Sequence, residues 1–289
     1  MAQYLGAKNA RRIAGADPLS TLRLVPHSIS SMYSLLQRLR SFRHGLWYGI
    51  SERLRWSRGM FEETPARDLI VLGSEKAERI AALRDRYQVQ FERLLSAPTS
   101  LRNYEYLDLL DRGWRQSGMD RPQGGVLCDI GCASFWYAAT LQSFFRPARL
   151  VGVEVEGYRL FKGGYTRRDY AAGYLARLPN AEFVVADYSR REEPADVITA
   201  WFPFLTPTAM LAWRLPLSLL RPEALFCRIK HNLRPQGLFF MVNHGEEEAG
   251  LAADCCGAAG LALTARWTAS KTLGAPRMQA PELSWWTHA

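Results

Sequence analysis

Val126-Leu127-Cys128-Asp129-Ile130-Gly131-Cys132-Ala133-Ser134 is the stretch that decides how this chain folds. An apolar run leads into Asp129, then Gly131, then the small residues Ala133 and Ser134. A buried strand that stops at an acid and a glycine, with a helix behind it, is how a doubly wound sheet builds a nucleotide site. The glycine allows a sharp turn and a close approach of the ligand to main-chain N–H groups. Residues 149–159 follow at the right distance. Leu150, Val151, Val153 and Val155 read as a buried strand, and Glu154 near its carboxyl end has the chemistry to accept both hydroxyls of a ribose. Residues 181–189 form a third short apolar strand ending at Asp187 and Tyr188. Residues 195–204 and 232–244 supply two more, the latter after a Pro/Gly turn. Helix-length gaps separate these strands, as a parallel α/β sheet requires. Residues 261–270 and 282–288 read as two further strands, with Pro276 and Pro281 between them.

This ordered series resembles the class I S-adenosylmethionine-dependent methyltransferases over residues 104–289. The family's first motif, an acid followed by alternating glycines, reads here as Asp129, Gly131, Ala133 and Phe135. Glu154 matches the acid after the second strand, and Asp187 the acid after the third. Leu233, Pro235 and Gly237 match the turn before the fifth. The resemblance implies an α/β fold: a doubly wound, seven-stranded, mostly parallel sheet with a C-terminal antiparallel strand pair, plus an N-terminal helical segment. It also implies S-adenosylmethionine as cofactor. Backbone at Gly131 and Ala133 would then meet the methionine part, and Asp129 its ammonium or the loop itself. Glu154 would hold the ribose, Asp187 the adenine amino group, and Tyr188 would lie beside the ring.

Two departures from the pattern stand out. Ala133 and Phe135 occupy positions where glycine is frequent. Ala133 keeps the close approach if its φ is negative, and Phe135 must turn its ring away from the cofactor. At the end of the fourth strand, Trp201-Phe202-Pro203-Phe204 keeps the proline and aromatic of amino-group methyltransferases without their Asn or Asp.

Methyl transfer from a sulfonium needs alignment and exclusion of water more than reactive groups. In an open α/β sheet that happens beyond the carboxyl strand ends. The catalytic candidates there are Trp201 and Phe204 as walls, with Phe202 between them, and the polar Asn243 and His244. His244 is the candidate general base, since imidazole titrates near neutrality. Glu246, Glu247 and Glu248 read as a solvated helix start. The basic turn Gly163–Arg168 reads as a surface turn. Only Asn243 offers a hard ligand near the fourth and fifth strand ends, so no metal is expected.

The chain has 289 residues and a net charge of +9. Residues 1–120 hold 19 basic and 13 acidic groups, and residues 121–289 hold 18 and 15. Such a surplus attracts phosphate. The N-terminus lacks the apolar core of a secretory signal. No apolar run reaches the ~18 residues of a spanning helix. The five cysteines form neither a disulfide framework nor a zinc set. A cytoplasmic protein is expected.

The organisation expected is an irregular arm over 1–28, a basic helical segment over 29–120 acting as lid or substrate wall, and a Rossmann-like domain over 121–289. In 29–58, apolar residues from Met32 to Leu54 recur at helical steps among arginines. Packing of this apolar stripe on the catalytic domain is favoured over peripheral membrane contact. A helix over 74–95, capped by Ser74 and ended by Pro98, and a second over 103–115 complete the segment. The expected activity is methylation of an unidentified small molecule, lipid or natural product. Two alternatives stand beside it: an RNA methyltransferase of tRNA type, with nucleic acid not favoured as partner, and a non-catalytic protein that binds cofactor or partner on the same fold.

Overall fold

The structure is a computed structural model that describes residues 34–70, 73–274 and 279–289. The expected arm over 1–28, Met32 and Pro276 lie outside the described residues. Seven strands form one sheet: β1 Val126–Ile130, β2 Arg149–Glu154, β3 Ala181–Val185, β4 Ala195–Trp201, β5 Leu233–His244, β6 Leu261–Thr268 and β7 Pro281–His288. Their order is β3-β2-β1-β4-β5-β7-β6. β1 through β5 run parallel, and β7 lies antiparallel between β5 and β6. The expected α/β sheet and its closing antiparallel pair are therefore present.

The central strands read as continuous apolar runs because both faces are covered. Leu127, Leu150, Val197, Phe240 and Val242 point into one layer. Cys128, Val151, Ile198, Phe239 and Met241 point into the other. The upper layer is roofed by α3 Ala97–Ser117, α4 Ala138–Phe145 and α5 Arg167–Leu175. The lower is closed by α7 Pro222–Asn232 and α8 Gly245–Ala258. Three more α-helices are found among the described residues: α1 Leu35–Leu54, α2 Ser74–Tyr87 and α6 Pro207–Ala212.

Ahead of the sheet, two expectations are corrected. The helix expected over 74–95 stops at Tyr87, where Gln88 takes a left-handed conformation. Phe91 then turns inward on a short 3-10 segment and packs against the Tyr104 ring at 4.8 Å. Ser74 is the first helical residue, not the cap, which is Gly73. Pro98 does not end a helix; it sits in the first turn of α3, where a missing N–H costs nothing.

The larger correction concerns α1. A capping box fixes its start: Gln37 N–H donates to Ser34 Oγ at 3.3 Å, and Ser34 N–H donates to Gln37 Oε1 at 2.9 Å. Its apolar stripe faces away from the protein. Leu35 is 73 % exposed, Phe42 68 % and Trp47 65 %, and Leu36, Leu39, Leu46, Ile50 and Leu54 are exposed with them. The polar side faces inward instead. Ser41 Oγ accepts from Leu217 N–H at 2.9 Å, and His44 is the buried residue of the helix.

Candidate functional site

The first turn is built around Asp129, which is fully buried. One of its oxygens accepts from Tyr137 Oη at 2.6 Å and the other from Thr199 Oγ1 on β4. Burial lifts its carboxyl to about 7, against the pull of the Thr199 and Tyr137 hydrogen bonds. Each oxygen thus has a donor, and the Tyr137 bond ties Asp129 to the start of α4. Gly131 follows at φ +68°, and the space where its Cβ would stand is open. Ala133 and Phe135 both have positive φ, +52° and +53°, contrary to the negative value that close approach at Ala133 required. Phe135 does turn its ring away. It is fully buried over β2, where a Cβ on Gly152 would stand 2.5 Å from it.

Glu154 ends β2, and three donors already reach it. Ala133 N–H donates to Oε2 at 2.8 Å and Glu156 N–H to Oε1 at 2.9 Å. The Arg167 guanidinium lies 2.9 Å from Oε1. A carboxylate offers about four acceptor positions. One position remains open, where accepting both hydroxyls of a ribose would call for two. Arg167 also reaches Glu156 at 3.3 Å. The turn expected at the surface thus carries a buried arginine into the site, placed by the Thr166–Asp169 capping box that starts α5.

Asp187 lies just beyond β3. Its Oδ1 accepts from Ser189 N–H at 3.0 Å and Ser189 Oγ at 2.7 Å, and its side chain is about one-third exposed. Tyr188 is not beside an adenine position. It is buried in the lower layer with Val153, Ile198 and Phe226, because the short helix after Asp187 rotates it under the sheet.

At the end of β4, Trp201 is stacked on Tyr106 of α3 with centroids 4.2 Å apart and planes at 13°. Tyr137 stands 5.8 Å from it, and Trp136 packs on Tyr106 at 4.9 Å. The buried Trp201 indole N–H has no acceptor. Phe204 departs from this group and packs instead with Met210, Leu211, Leu215 and Leu217, its ring 5.4 Å from Trp213. Asn243 and His244 part company because successive strand residues face opposite sides. Asn243 is fully buried, on the side of Phe239 and Met241, and neither of its amide atoms has a partner. His244 is exposed and stacked on Phe202, with centroids 4.0 Å apart. Glu248 caps α8 by accepting from His244 N–H at 2.8 Å.

Sequence reasoning missed Tyr48 and Glu52 on the inner side of α1. Burial, with the charges of Glu52, Asp187, Glu156 and Glu154, pushes the Tyr48 phenol up to about 12. Burial also raises the Glu52 carboxyl, with Arg55 opposing, and its Oε1 is buried with no partner. Tyr48 thus stands close enough to Glu154, Glu156 and Asp187 to feel their charges, at the carboxyl ends of β2 and β3.

The decisive observation is topological. A parallel sheet of order 3-2-1-4-5 carries an antiparallel strand inserted beside β5, and acids end β1 and β2 and follow β3. This is the strand order that the resemblance to class I methyltransferases implies. No protein-family model matches the sequence, and no curated protein matches it. Several solved methyltransferase structures align with it. A SAM-dependent methyltransferase from Aquifex aeolicus aligns with 62 % of this chain and 89 % of its own, at 13 % identity and a TM-score of 0.46. An S-adenosylmethionine-dependent methyltransferase from Clostridium acetobutylicum aligns with 74 % and 99 %, at 8 % identity and a TM-score of 0.45. The N-methyltransferase NodS from Bradyrhizobium japonicum aligns with 65 % and 96 %, at 12 % identity and a TM-score of 0.43.

Proposed function

We propose that this protein is an S-adenosylmethionine-dependent methyltransferase that acts on a small-molecule, lipid or natural-product acceptor. The observation that supports this best is the placement of Asp129, Glu154 and Asp187 at three neighbouring strand ends around a turn that opens into free space at Gly131. The residues fit the cofactor. Glu154 and Glu156 are paired with Arg167 and Arg159, and Asp187, about one-third exposed, is the acid open to the amino group of a ligand. S-Adenosylmethionine supplies a methyl group already activated for in-line displacement.

The protein's part is then positional. Asp187 accepts from the adenine amino group, and Glu154 takes one ribose hydroxyl. Tyr137, held by Asp129, joins Tyr106, Trp136 and Trp201 in an aromatic wall that orients the acceptor and excludes water. His244, at the rim, is the remaining candidate to take the acceptor's proton. The segment over 29–120 contributes Tyr48, Glu52 and Tyr106, which supports reading it as lid and substrate wall.

Calorimetric titration with S-adenosylmethionine and S-adenosylhomocysteine tests this reading. Wild type is expected to bind both, and Asp187→Ala to bind roughly tenfold more weakly, a loss of about 1.4 kcal/mol. Failure of the wild type to bind either one ends the proposal. Binding without turnover of any small acceptor returns the non-catalytic reading.

A further inference from the structure

We propose that the outer face of α1 docks on an anionic lipid bilayer. This goes beyond the methyltransferase reading and does not depend on it. Leu35, Leu39, Phe42, Leu46 and Ile50 share one face of the helix at three- and four-residue steps, and all are exposed. Most amphipathic helices bury that face. This one cannot turn it inward, because its opposite side is tied down. Leu217 N–H donates to Ser41 Oγ at 2.9 Å, and His44 is buried. Just past the helix, Trp56 Nε1 donates to Gly164 O at 3.0 Å and Arg58 to Gly163 O at 2.6 Å.

The apolar surface extends beyond the helix itself. Met60, Leu160, Phe161 and Trp213 are exposed on the segments joined to it by those bonds and by the Arg159–Trp213 contact. Among the described residues, Ile70, Leu101, Leu251 and Leu263 are the large exposed apolar side chains elsewhere. The exposed apolar residues of α1 line one face of a single helix, unlike the single scattered residues of an ordinary surface.

Charge identifies the occupant. Arg40, Arg43 and Arg53 are exposed on α1, while the one acid of the helix, Glu52, is half-buried with Arg55 beside it over the Tyr158 ring. Apolar side chains rimmed by arginines, with the acid withdrawn, complement a surface of acyl chains beneath anionic headgroups. A second copy of the chain would set these arginines against each other. A nucleic acid would leave the leucines in water. The helix has 20 residues, about 30 Å long at 1.5 Å per residue. No helix among the described residues is long and apolar enough to cross a membrane, so α1 lies in the interface plane.

Co-sedimentation of the full chain with phosphatidylcholine vesicles, with and without about one-third phosphatidylglycerol, tests the proposal. Wild type is expected to bind the anionic vesicles, more weakly as salt rises. The paired variants Phe42→Glu/Leu46→Glu and Arg40→Gln/Arg43→Gln should each bind roughly tenfold less. Their unchanged melting temperatures would show that the fold is intact. The proposal is overturned if wild type ignores anionic vesicles or if neither variant weakens the binding. Self-association in solution that Phe42→Glu/Leu46→Glu abolishes, without vesicle binding, would assign the face to a second copy. Retention on immobilised RNA without vesicle binding would assign it to nucleic acid.

Discussion

At Ala133, an L-residue with a Cβ holds φ at +52° in the turn that faces the proposed cofactor. Such a conformation costs about 1–2 kcal/mol, while glycine's extra chain entropy costs about 0.5–1 kcal/mol. Ala133→Gly is therefore expected to leave the fold unchanged or up to about 1 kcal/mol more stable in urea denaturation. In a helix the same change would destabilise. Asp129 makes a second case. Its carboxyl titrates at about 7 in the fold. The unfolded chain releases that proton near pH 4. The native state thus binds the proton more tightly, and the stability it adds is complete below about pH 4 and lost as pH rises toward 7. Asp129→Asn should flatten this slope, as urea midpoints at about pH 5 and about pH 8 would reveal. Asp129, Glu154 and Asp187 could be placed from sequence because strand-end position fixes where they stand. Arg167 could not. A basic residue after a glycine turn looks solvated until the capping box of α5 swings it onto Glu154.

Among the elements, α5 and the chain that straps it form one unit. Asp169 closes the Thr166 capping box, accepts from Ser57 Oγ, and accepts from Arg58 N–H at 3.1 Å. Phe61 N–H donates to Asp169 O at 3.0 Å, and its carbonyl lies against Gly173 where no Cβ could fit. Burial opposes ionisation of Asp169, but these hydrogen bonds outweigh it and hold the carboxyl below its ordinary value. Its stabilising effect is therefore present above about pH 4 and lost as pH falls through the folded value, opposite in sense to Asp129. Asp169→Ala should cost about 2 kcal/mol in urea unfolding at neutral pH. Limited proteolysis should then cut within 55–61 more readily, because that segment anchors α1 to the body. The helical periodicity of α1 was readable in the sequence; its orientation was not. Spacing shows that one face is apolar, but which side meets the protein depends on partners far along the chain, here Leu217 and Gly163–Gly164.

The proposed recognition groups stand at the ends of five strands and on an outlying helix, so a bound ligand should stabilise all of them together. If the proposed cofactor binds, S-adenosylhomocysteine at about 100 times its Kd should add about 2.7 kcal/mol to wild-type stability. Thermal unfolding would register this as a higher Tm, and the gain should shrink in Asp187→Ala. The sheet order has a different kind of consequence. β7 is last of the seven in sequence yet interior in space, between β5 and β6, and the His288 ring bonds to Leu233 O at 2.8 Å. During synthesis, every other strand leaves the ribosome before the one that joins them. Until residues 281–288 emerge, Phe239–Val242 present an unpaired apolar edge. A nascent chain arrested before residue 281 should therefore engage chaperones or aggregate, and release of the final strand, not completion of the nucleotide half, would commit this protein to its native state.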